Sequence, residues 1–173
     1  KLGAVPVPMR WDLPDWELQR LREAIDGKVH LDEGDVGWIE ATADREVPDL
    51  PLVTPPQFNG ICSSGSTGLP KVIVSGREGV YDPILATPFA LQFGREIPRP
   101  QVVGVLGPLY HTNGFHSFIA LLGGDHVVLM EAFDAARVVD AIERHRISMF
   151  NCTPTMLKRI ADLPGIDDRD LSS

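Results

Sequence analysis

The chain has little of what several protein classes require. Its 173 residues include only two cysteines, Cys62 and Cys152, which lie far apart in sequence. This spacing argues against a disulfide framework and favours reduced thiols in a cytoplasmic protein, where a free cysteine usually packs as a small hydrophobe. The five histidines do not cluster with the cysteines at ligand spacing. No metal site is therefore predicted.

The charge and hydropathy patterns exclude two further classes. Twenty-four acidic residues against sixteen basic ones give a net charge of -8, and no run of Lys or Arg stands out. A nucleic-acid surface is therefore not expected. No apolar run approaches the roughly 20 residues of a membrane span, and the N-terminus lacks a signal-peptide pattern. With 43% apolar residues, the chain instead has the composition of a globular protein. Its length predicts one hydrophobic core, with room for a smaller second lobe.

The first third of the chain mixes helical and extended patterns. Residues 12–27 carry apolar residues at helical spacing, with Asp12 as a candidate cap and Gly27 as the stop. A strand is predicted for residues 28–33. Four prolines between residues 34 and 56 then indicate extended or linker chain, and the predicted lobe boundary lies there.

The middle of the chain predicts a strand, a glycine loop and a second strand. The two strands are expected at residues 58–64, which lead into the loop, and at residues 71–75, which leave it as an apolar, β-branched stretch. Residues 76–94 are expected to be partly helical.

The second half predicts regular alternation of strand and helix. The expected elements are a strand at 101–108, a helix with an apolar stripe of Phe115, Phe118, Ile119 and Leu122, a strand at 126–130, a helix capped by Asp134 with Ala135, Val138, Val139 and Ile142 on one face, a strand at 147–152, and a helix opened by Thr153 and Pro154. Repeated units of this length predict an α/β fold with a largely parallel sheet flanked by helices.

The segment "SSGSTGLPK", residues 63–71, has the composition of an anion-binding loop. Gly65 and Gly68 permit backbone angles that turn consecutive N–H groups toward one point. The serine and threonine hydroxyls add donors, and Lys71 adds a compact positive charge at the end of the turn. The pattern suits a polyphosphate.

Other interpretations of this segment are weaker or stay open. It is not the usual P-loop, because Leu69 and Pro70 separate the lysine from the second glycine. The chain contains no G-x-S-x-G elbow of a serine hydrolase. An ordinary polar turn between two strands remains open on composition alone, since turns favour these residues for local reasons.

The segment resembles the phosphate-binding signature of the adenylate-forming enzymes, which include acyl- and aryl-CoA synthetases, luciferases and the adenylation domains of peptide synthetases. Three further stretches resemble these enzymes in the same order: "KLGAVPVP", "GPLYHTNGF" and "RHRISMFNCTPTMLKRI". His111 followed three positions later by Gly114 is more similar to an acyl-CoA synthetase than to a peptide-synthetase domain. One departure is Ser75-Gly76-Arg77, where the family usually has a Ser/Thr-His pair.

The resemblance implies a domain organisation and a reaction. Residues 1–52 would be a partial first lobe of the large N-terminal domain, residues 53–75 the strand, phosphate-binding loop and strand, and residues 76–173 an α/β subdomain with the acyl-pocket segment, while the C-terminal domain would be absent. In the implied reaction a carboxylate attacks the α-phosphate of Mg-ATP, and the thiol of coenzyme A then displaces AMP from the acyl-adenylate. The implied ligands are ATP, Mg2+, coenzyme A and a fatty, aromatic or sterol-like carboxylic acid.

The resemblance also assigns the site residues. His111 would stand near the reacting carboxylate. The remaining implied positions are Ser63, Ser64, Gly65, Ser66, Thr67, Gly68 and Lys71 for the phosphates, and Asn113, Gly114, Phe115, Thr153 and Pro154 for the acyl pocket.

Structural interpretations of three of these residues stay open. His111 is as well explained by a structural hydrogen bond, Phe115 by a place in the core, and Thr153 by helix capping. A non-catalytic nucleotide-binding or interaction module is the alternative function.

Several signatures of these enzymes are not found in the chain: Tyr-Gly-x-Thr-Glu for adenine and magnesium, Thr-Gly-Asp for ribose, the hinge, and the C-terminal lysine. We therefore expect the chain to be part of a longer enzyme, and we predict that the isolated chain forms no acyl-adenylate. ATP–pyrophosphate exchange measures this, with the complete gene product as positive control. Robust exchange by the 173 residues alone would contradict the prediction.

Overall fold

The computed structural model describes residues 2–27, 29–63, 71–80 and 99–173. The chain divides into two compact units, Lys1–Val80 and Tyr81–Ser173. Among the described residues, the first unit contains a sheet of two strands and the second a sheet of three. Most of the partly helical stretch predicted at 76–94 lies outside the described residues. No helix in the described part of the chain is long and apolar enough to cross a bilayer.

The first unit is built around an antiparallel hairpin. Its elements are helix α1 at Asp15–Ile25, a 3-10 turn at Glu33–Asp35, helix α2 at Val36–Thr42, strand β1 at Gly60–Ser63 and strand β2 at Lys71–Val74. Helix α1 lies against β2. The predicted pair of strands on either side of the glycine loop is confirmed.

The predicted ends of α1 are wrong. The helix begins at Asp15, with Pro14 in the capping position, and the carboxylate of Asp12 instead accepts a hydrogen bond from Arg10 Nη2 at 2.8 Å. At the other end, Asp26 rather than Gly27 adopts the left-handed conformation, with φ of 48°. The backbone N–H of Asp26 donates to the carbonyl of Arg22, which satisfies one of the last free carbonyls of the helix.

The strand predicted at residues 28–33 is also wrong for the residues that the structure describes. Asp32 Oδ1 accepts from the N–H of Gly34 at 2.9 Å, and the N–H of Asp32 donates to Asp35 Oδ2 at 2.9 Å. Because these side chains bond the local backbone, the chain turns into a short 3-10 segment instead of extending. Helix α2 follows directly and was not predicted.

The second unit contains a parallel sheet with helices between its strands. Its elements are β3 at Val102–Val105, α3 at Thr112–Leu122, β4 at His126–Leu129, α4 at Ala135–His145, β5 at Met149–Asn151, α5 at Pro154–Ala161, and a 3-10 turn at Ile166–Asp168. The strand order is β4-β3-β5, and both pairings are parallel. The predicted α/β class, with a parallel sheet flanked by helices, is confirmed.

Helix α4 supplies the largest share of the core in this unit. Val138 and Val139 have 0% exposure, and Ala135 and Ile142 are also buried, as the sequence predicted. These side chains form one cluster with Leu106 of the central strand region and with residues of α5. The predicted cap is present as well, since Asp134 Oδ1 accepts from the N–H of Arg137 at 2.9 Å.

Helix α3 buries a different face from the predicted one. Phe118 and Leu122 are 44% and 55% exposed, whereas Gly114, Ser117 and Ala120 are buried. Helix α3 contacts β3 and β4. The buried residues described in this helix are therefore small, which allows the helix backbone to lie close to its neighbours.

An ionic cluster attaches the segment after the last 3-10 turn to α4. Arg169 Nη2 donates to Asp140 Oδ1 at 2.6 Å and also bonds Glu143 Oε2. The N–H of Asp170 donates to Glu143 Oε1 at 2.9 Å. The Arg169 guanidinium, assisted by that N–H, holds the pKa of the Glu143 carboxyl below its usual value. The cluster therefore favours the ionised carboxylate in the folded state.

This lowered pKa predicts a pH dependence of stability. The bonded carboxylate adds stability above its unfolded pKa of about 4.3, and that stability is lost as pH falls through the folded pKa. We expect Arg169→Met to lower the Tm at neutral pH and to make the acid-side decline of Tm shallower. Thermal unfolding against pH measures both effects.

Lys158→Met is the matched control, because it removes an exposed ion pair within one helix. The side chain of Lys158 is 74% exposed and that of its partner Asp162 is 59% exposed. Such pairs contribute little. The prediction would be contradicted if the Tm of Arg169→Met fell with decreasing pH as steeply as the Tm of the control.

Candidate functional site

The hairpin of the first unit holds the two ends of the "SSGSTGLPK" segment together. Its register pairs Ser63 with Lys71, and Ile61 with Ile73 two positions away. Directly opposed residues of an antiparallel pair project from the same face, so Ser63 and Lys71 stand side by side at the mouth of the loop. The other predicted phosphate-binding residues, Ser64, Gly65, Ser66, Thr67 and Gly68, lie outside the described residues.

Lys71 is exposed at the start of β2. No carboxylate in the described ranges lies within ion-pair distance of its ammonium group. An exposed lysine without an intramolecular counterion can meet a phosphate as a compact point charge. The half-buried Ser63 beside it can add a hydroxyl donor.

The hairpin is extended beyond its assigned strands. The N–H of Ser75 donates to the carbonyl of Asn59 at 2.8 Å, and the N–H of Phe58 donates to the carbonyl of Arg77 at 2.7 Å. Ser75 and Arg77, which depart from the family pattern, therefore continue the pairing of β1 with β2. Because these bonds join backbone groups, the departure from the family pattern is compatible with the hairpin.

Gly60 fixes this base to the N-terminal segment of the chain. Its N–H donates to the carbonyl of Pro6 at 3.0 Å. A Cβ at this position would lie 3.0 Å from a methyl of Val7 and 3.2 Å from a methyl of Val72. A side chain at position 60 would therefore press on these two methyl groups, and glycine allows the "KLGAVPVP" segment to pack closely on β1.

The candidate acyl-site residues of the second unit lie at the carboxyl edge of the parallel sheet. The chain leaves β3 toward His111 and leaves β5 toward Thr153, and the two strands are direct neighbours. The connection from β3 runs to β4 on one side, whereas the connection from β4 passes to β5 on the other side. Such a reversal of direction creates a crevice at the carboxyl ends of the strands, where ligands of open α/β sheets bind.

His111 is exposed in the capping position of α3. Its backbone N–H donates to the carbonyl of Pro108 at 3.1 Å, and its ring lies 5.2 Å from that of Tyr110, measured between centroids. No hydrogen bond joins the imidazole to another residue of the described segments. The structural interpretation, which requires such a bond, therefore gains no support, and the role near the carboxylate stays a prediction.

The first turn of α3 contains the next three candidate residues. Asn113 is exposed, whereas Gly114 is buried. The space beside the Gly114 Cα is occupied by the Pro108 carbonyl, which would lie 2.2 Å from a Cβ built there. The side chain of Phe115 lies outside the described part, so its place in the core or the pocket stays open.

Thr153 and Pro154 open helix α5 as the sequence predicted. Thr153 Oγ1 accepts from the N–H of Met156 at 3.3 Å, and Pro154 occupies the first helical turn. Both residues are exposed at the carboxyl edge. The hydroxyl of Thr153 accepts in this bond and retains its proton for donation, so capping and a place in the acyl site are compatible.

Asn151 is a candidate that the sequence reasoning missed. It is the last residue of β5, is half-buried, and is paired with Val105. No described residue hydrogen-bonds to its side-chain amide. The signal in the sequence was a polar residue ending an apolar strand immediately before the Thr153 cap.

The described residues contain no group of three His, Cys, Asp or Glu side chains that could hold a metal ion. Both thiols are free and half-buried. Burial raises the pKa of the Cys62 thiol, which disfavours the reactive thiolate.

Comparison with known proteins decides the family. The AMP-binding enzyme family matches residues 58–173, which include the loop and every candidate residue of the second unit. The chain belongs to the AMP-binding enzyme family.

Two plant relatives of this AMP-binding chain carry the name of a CoA ligase. The 4-coumarate–CoA ligase 1 of Solanum tuberosum is 26% identical over 150 residues, which are 86% of this chain and 27% of the relative. The 4-coumarate–CoA ligase 3 of Oryza sativa is 31% identical over 157 residues, or 87% of this chain and 26% of the relative. The chain therefore spans about a quarter of the length of these curated relatives.

The fold matches part of the N-terminal domain of an adenylate-forming enzyme. The N-terminal domain of FACL13 from Mycobacterium tuberculosis superimposes with a TM-score of 0.70 at 19% identity, covering 98% of this chain and 48% of that one. The expected fold, part of an N-terminal domain of an adenylate-forming enzyme, is confirmed.

The capping bond of Thr153 predicts a stability change. Thr153→Ala should lower the free energy of unfolding by about 1 kcal/mol, because the N–H of Met156 loses its acceptor. Thr153→Ser retains the hydroxyl and should stay close to the unsubstituted chain. Urea unfolding of the three proteins checks this order. An alanine variant as stable as the serine variant would show that the capping bond contributes nothing.

Proposed function

We propose that the complete gene product containing this chain is a cytoplasmic acid–thiol ligase, which activates a carboxylic acid with ATP and transfers it to coenzyme A. The observation that carries the proposal is the pairing of Ser63 with an exposed Lys71 at the two ends of a loop, in a member of the AMP-binding enzyme family. The CoA-ligase names of relatives up to 31% identical support the thiol acceptor.

The first half-reaction explains the need for the loop. A carboxylate oxygen of the acid attacks the α-phosphorus of ATP, the bond from that phosphorus to the bridging oxygen breaks, and pyrophosphate leaves with the electron pair. Negative charge increases on the departing group, and donors fixed in advance stabilise it. The residues proposed for this role are Ser63, Ser64, Gly65, Ser66, Thr67, Gly68 and Lys71.

The second half-reaction releases AMP. The thiol sulfur of coenzyme A attacks the carbonyl carbon of the acyl-adenylate, the bond from that carbon to the phosphate oxygen breaks, and the thiol proton is lost to solvent or a base. We place the acyl group at the carboxyl edge of β3 and β5, near His111. The proposed pocket residues are Asn113, Gly114, Phe115, Thr153 and Pro154.

Mg2+ is proposed to accompany ATP as a partner of its phosphate oxygens, where it would offset their charge. The described residues offer no cluster of three metal-ligating side chains, so their proposed contribution is to bind the phosphate oxygens.

Lys71 offers a direct test. We expect Lys71→Ala to lower acid-dependent pyrophosphate release by the complete gene product about 10²-fold, because one charged donor to the leaving group is lost. The Tm should stay unchanged, since Lys71 is exposed and makes no ion pair in the described ranges. Lys158→Ala, which replaces an exposed lysine on α5, is the matched control. Unchanged turnover in Lys71→Ala would remove this residue from the site.

A second measurement separates the proposed ligase from its alternatives. The complete gene product is supplied with Mg-ATP and a panel of fatty, aromatic and sterol-like acids, with and without coenzyme A. Acid-dependent pyrophosphate release with a thioester that forms only when coenzyme A is present is the expected result. Pyrophosphate release without a thioester would reject coenzyme A as acceptor, and ATP binding without release would favour the non-catalytic module.

A further inference from the structure

The geometry points to Gly114 as a positioning residue that sets the placement of the His111 imidazole, acting through the backbone of Pro108 and Leu109. This role differs from a pocket residue that touches the acyl group. Its consequence for catalysis rests on the proposed function, whereas its consequence for the position of His111 does not.

The first step is that no side chain fits at position 114. A Cβ built on Gly114 would lie 2.2 Å from the carbonyl oxygen of Pro108, 2.6 Å from its carbonyl carbon and 2.5 Å from the Cα of Leu109. All three are backbone atoms, so they cannot rotate away as a flexible side chain would. An added methyl group must displace the chain at residues 108–109 or the helix itself.

The second step is that helix α3 is held in place more firmly than the chain at residues 108–109. Helix α3 contacts β3 and β4, and Gly114, Ser117 and Ala120 on its inner side are buried. The hydroxyl of Ser117, which is 4% exposed, donates to the carbonyl of Gly114 at 2.6 Å and ties down the first turn. The chain at 108–109 is therefore the part that moves.

The third step links that displacement to His111. The same Pro108 carbonyl that lies against Gly114 accepts the backbone N–H of His111 at 3.1 Å, which closes a turn over residues 108–111. A shift of the Pro108 carbonyl thus moves the acceptor that holds His111. The contact between the rings of Tyr110 and His111, 5.2 Å between centroids, would change with it.

Backbone conformation does not explain this glycine. Gly114 lacks the positive φ that Gly3, Gly124 and Gly165 adopt. Alanine is also a better helix former than glycine. Propensity alone would therefore favour alanine at position 114, and only the contact with Pro108 opposes it.

The test compares Gly114→Ala with Gly107→Ala. Gly107 lies in the same connection, and a Cβ there meets nothing within 4 Å, so the control adds the same methyl group without a contact. NMR of the complete gene product with isotope-labelled histidine follows the imidazole resonances of His111, and steady-state kinetics follow acyl-adenylate formation by the same protein. We expect shifted His111 resonances and about a 10²-fold lower kcat with little change in KM for ATP in Gly114→Ala alone.

Several results would overturn the inference. His111 resonances that match those of Gly107→Ala would reject the positional role, whether or not the gene product is a ligase. Shifted resonances with unchanged kcat in an active ligase would reject the catalytic consequence. If the gene product activates no acid, the proposed function fails while the resonances still decide the positional role.

A measurement on the unsubstituted chain covers the case in which Gly114→Ala does not fold. The close approach predicts a nuclear Overhauser effect between an α-proton of Gly114 and the α-proton of Leu109. Its observation supports the seating of the Pro108–Leu109 backbone on α3, and its absence in the folded, assigned chain would overturn the inference.

Discussion

The burial of α4 against the parallel sheet is the interaction on which the second unit depends. Parallel sheets are stable when both faces are covered, and α4 covers one face with Val138 and Val139 at 0% exposure. Parallel crossover connections are right-handed, and β4 and β5 lie on opposite sides of β3, so we infer that α3 covers the opposite face. With both faces occupied, the edge at which the strands end is where polar residues can meet a ligand.

The two units contribute in different ways to one proposed reaction. The hairpin of the first unit brings the ammonium-bearing Lys71 beside the hydroxyl-bearing Ser63, and groups of this kind can stabilise a leaving phosphate. The second unit places His111 and Thr153 on the connections that follow two neighbouring parallel strands. Activation of an acid by ATP needs both kinds of surface, since one reactant is strongly anionic and the other carries an acyl group.

Local signals were predictable from the sequence, and contacts between distant segments were not. Asp134 and Thr153 each accept a hydrogen bond from the backbone N–H three residues later, so the sequence alone indicates these capping bonds. The strand predicted at 28–33 failed because side chains of Asp32 and Asp35 compete for the backbone, which hydropathy does not report. The apolar stripe that includes Phe118 predicted the wrong buried face of α3, because small residues are buried on another side of the helix. The role of Gly114 depends on its contact with the Pro108 carbonyl, six residues away, which the periodicity of the sequence does not indicate.

The pairing of Ser63 with Lys71 has a consequence for the entropy of ligand binding. Closing a free loop of seven residues costs roughly (3/2)RT ln n, about 1.7 kcal/mol beyond a constant term. In this chain the β-ladder closes the loop during folding, since antiparallel partners stand about 5 Å apart between Cα atoms. An anion that binds there does not bear that cost. Substitutions along β1 and β2 would therefore weaken binding by loosening the ends of the loop, even where they remove no contact with the ligand.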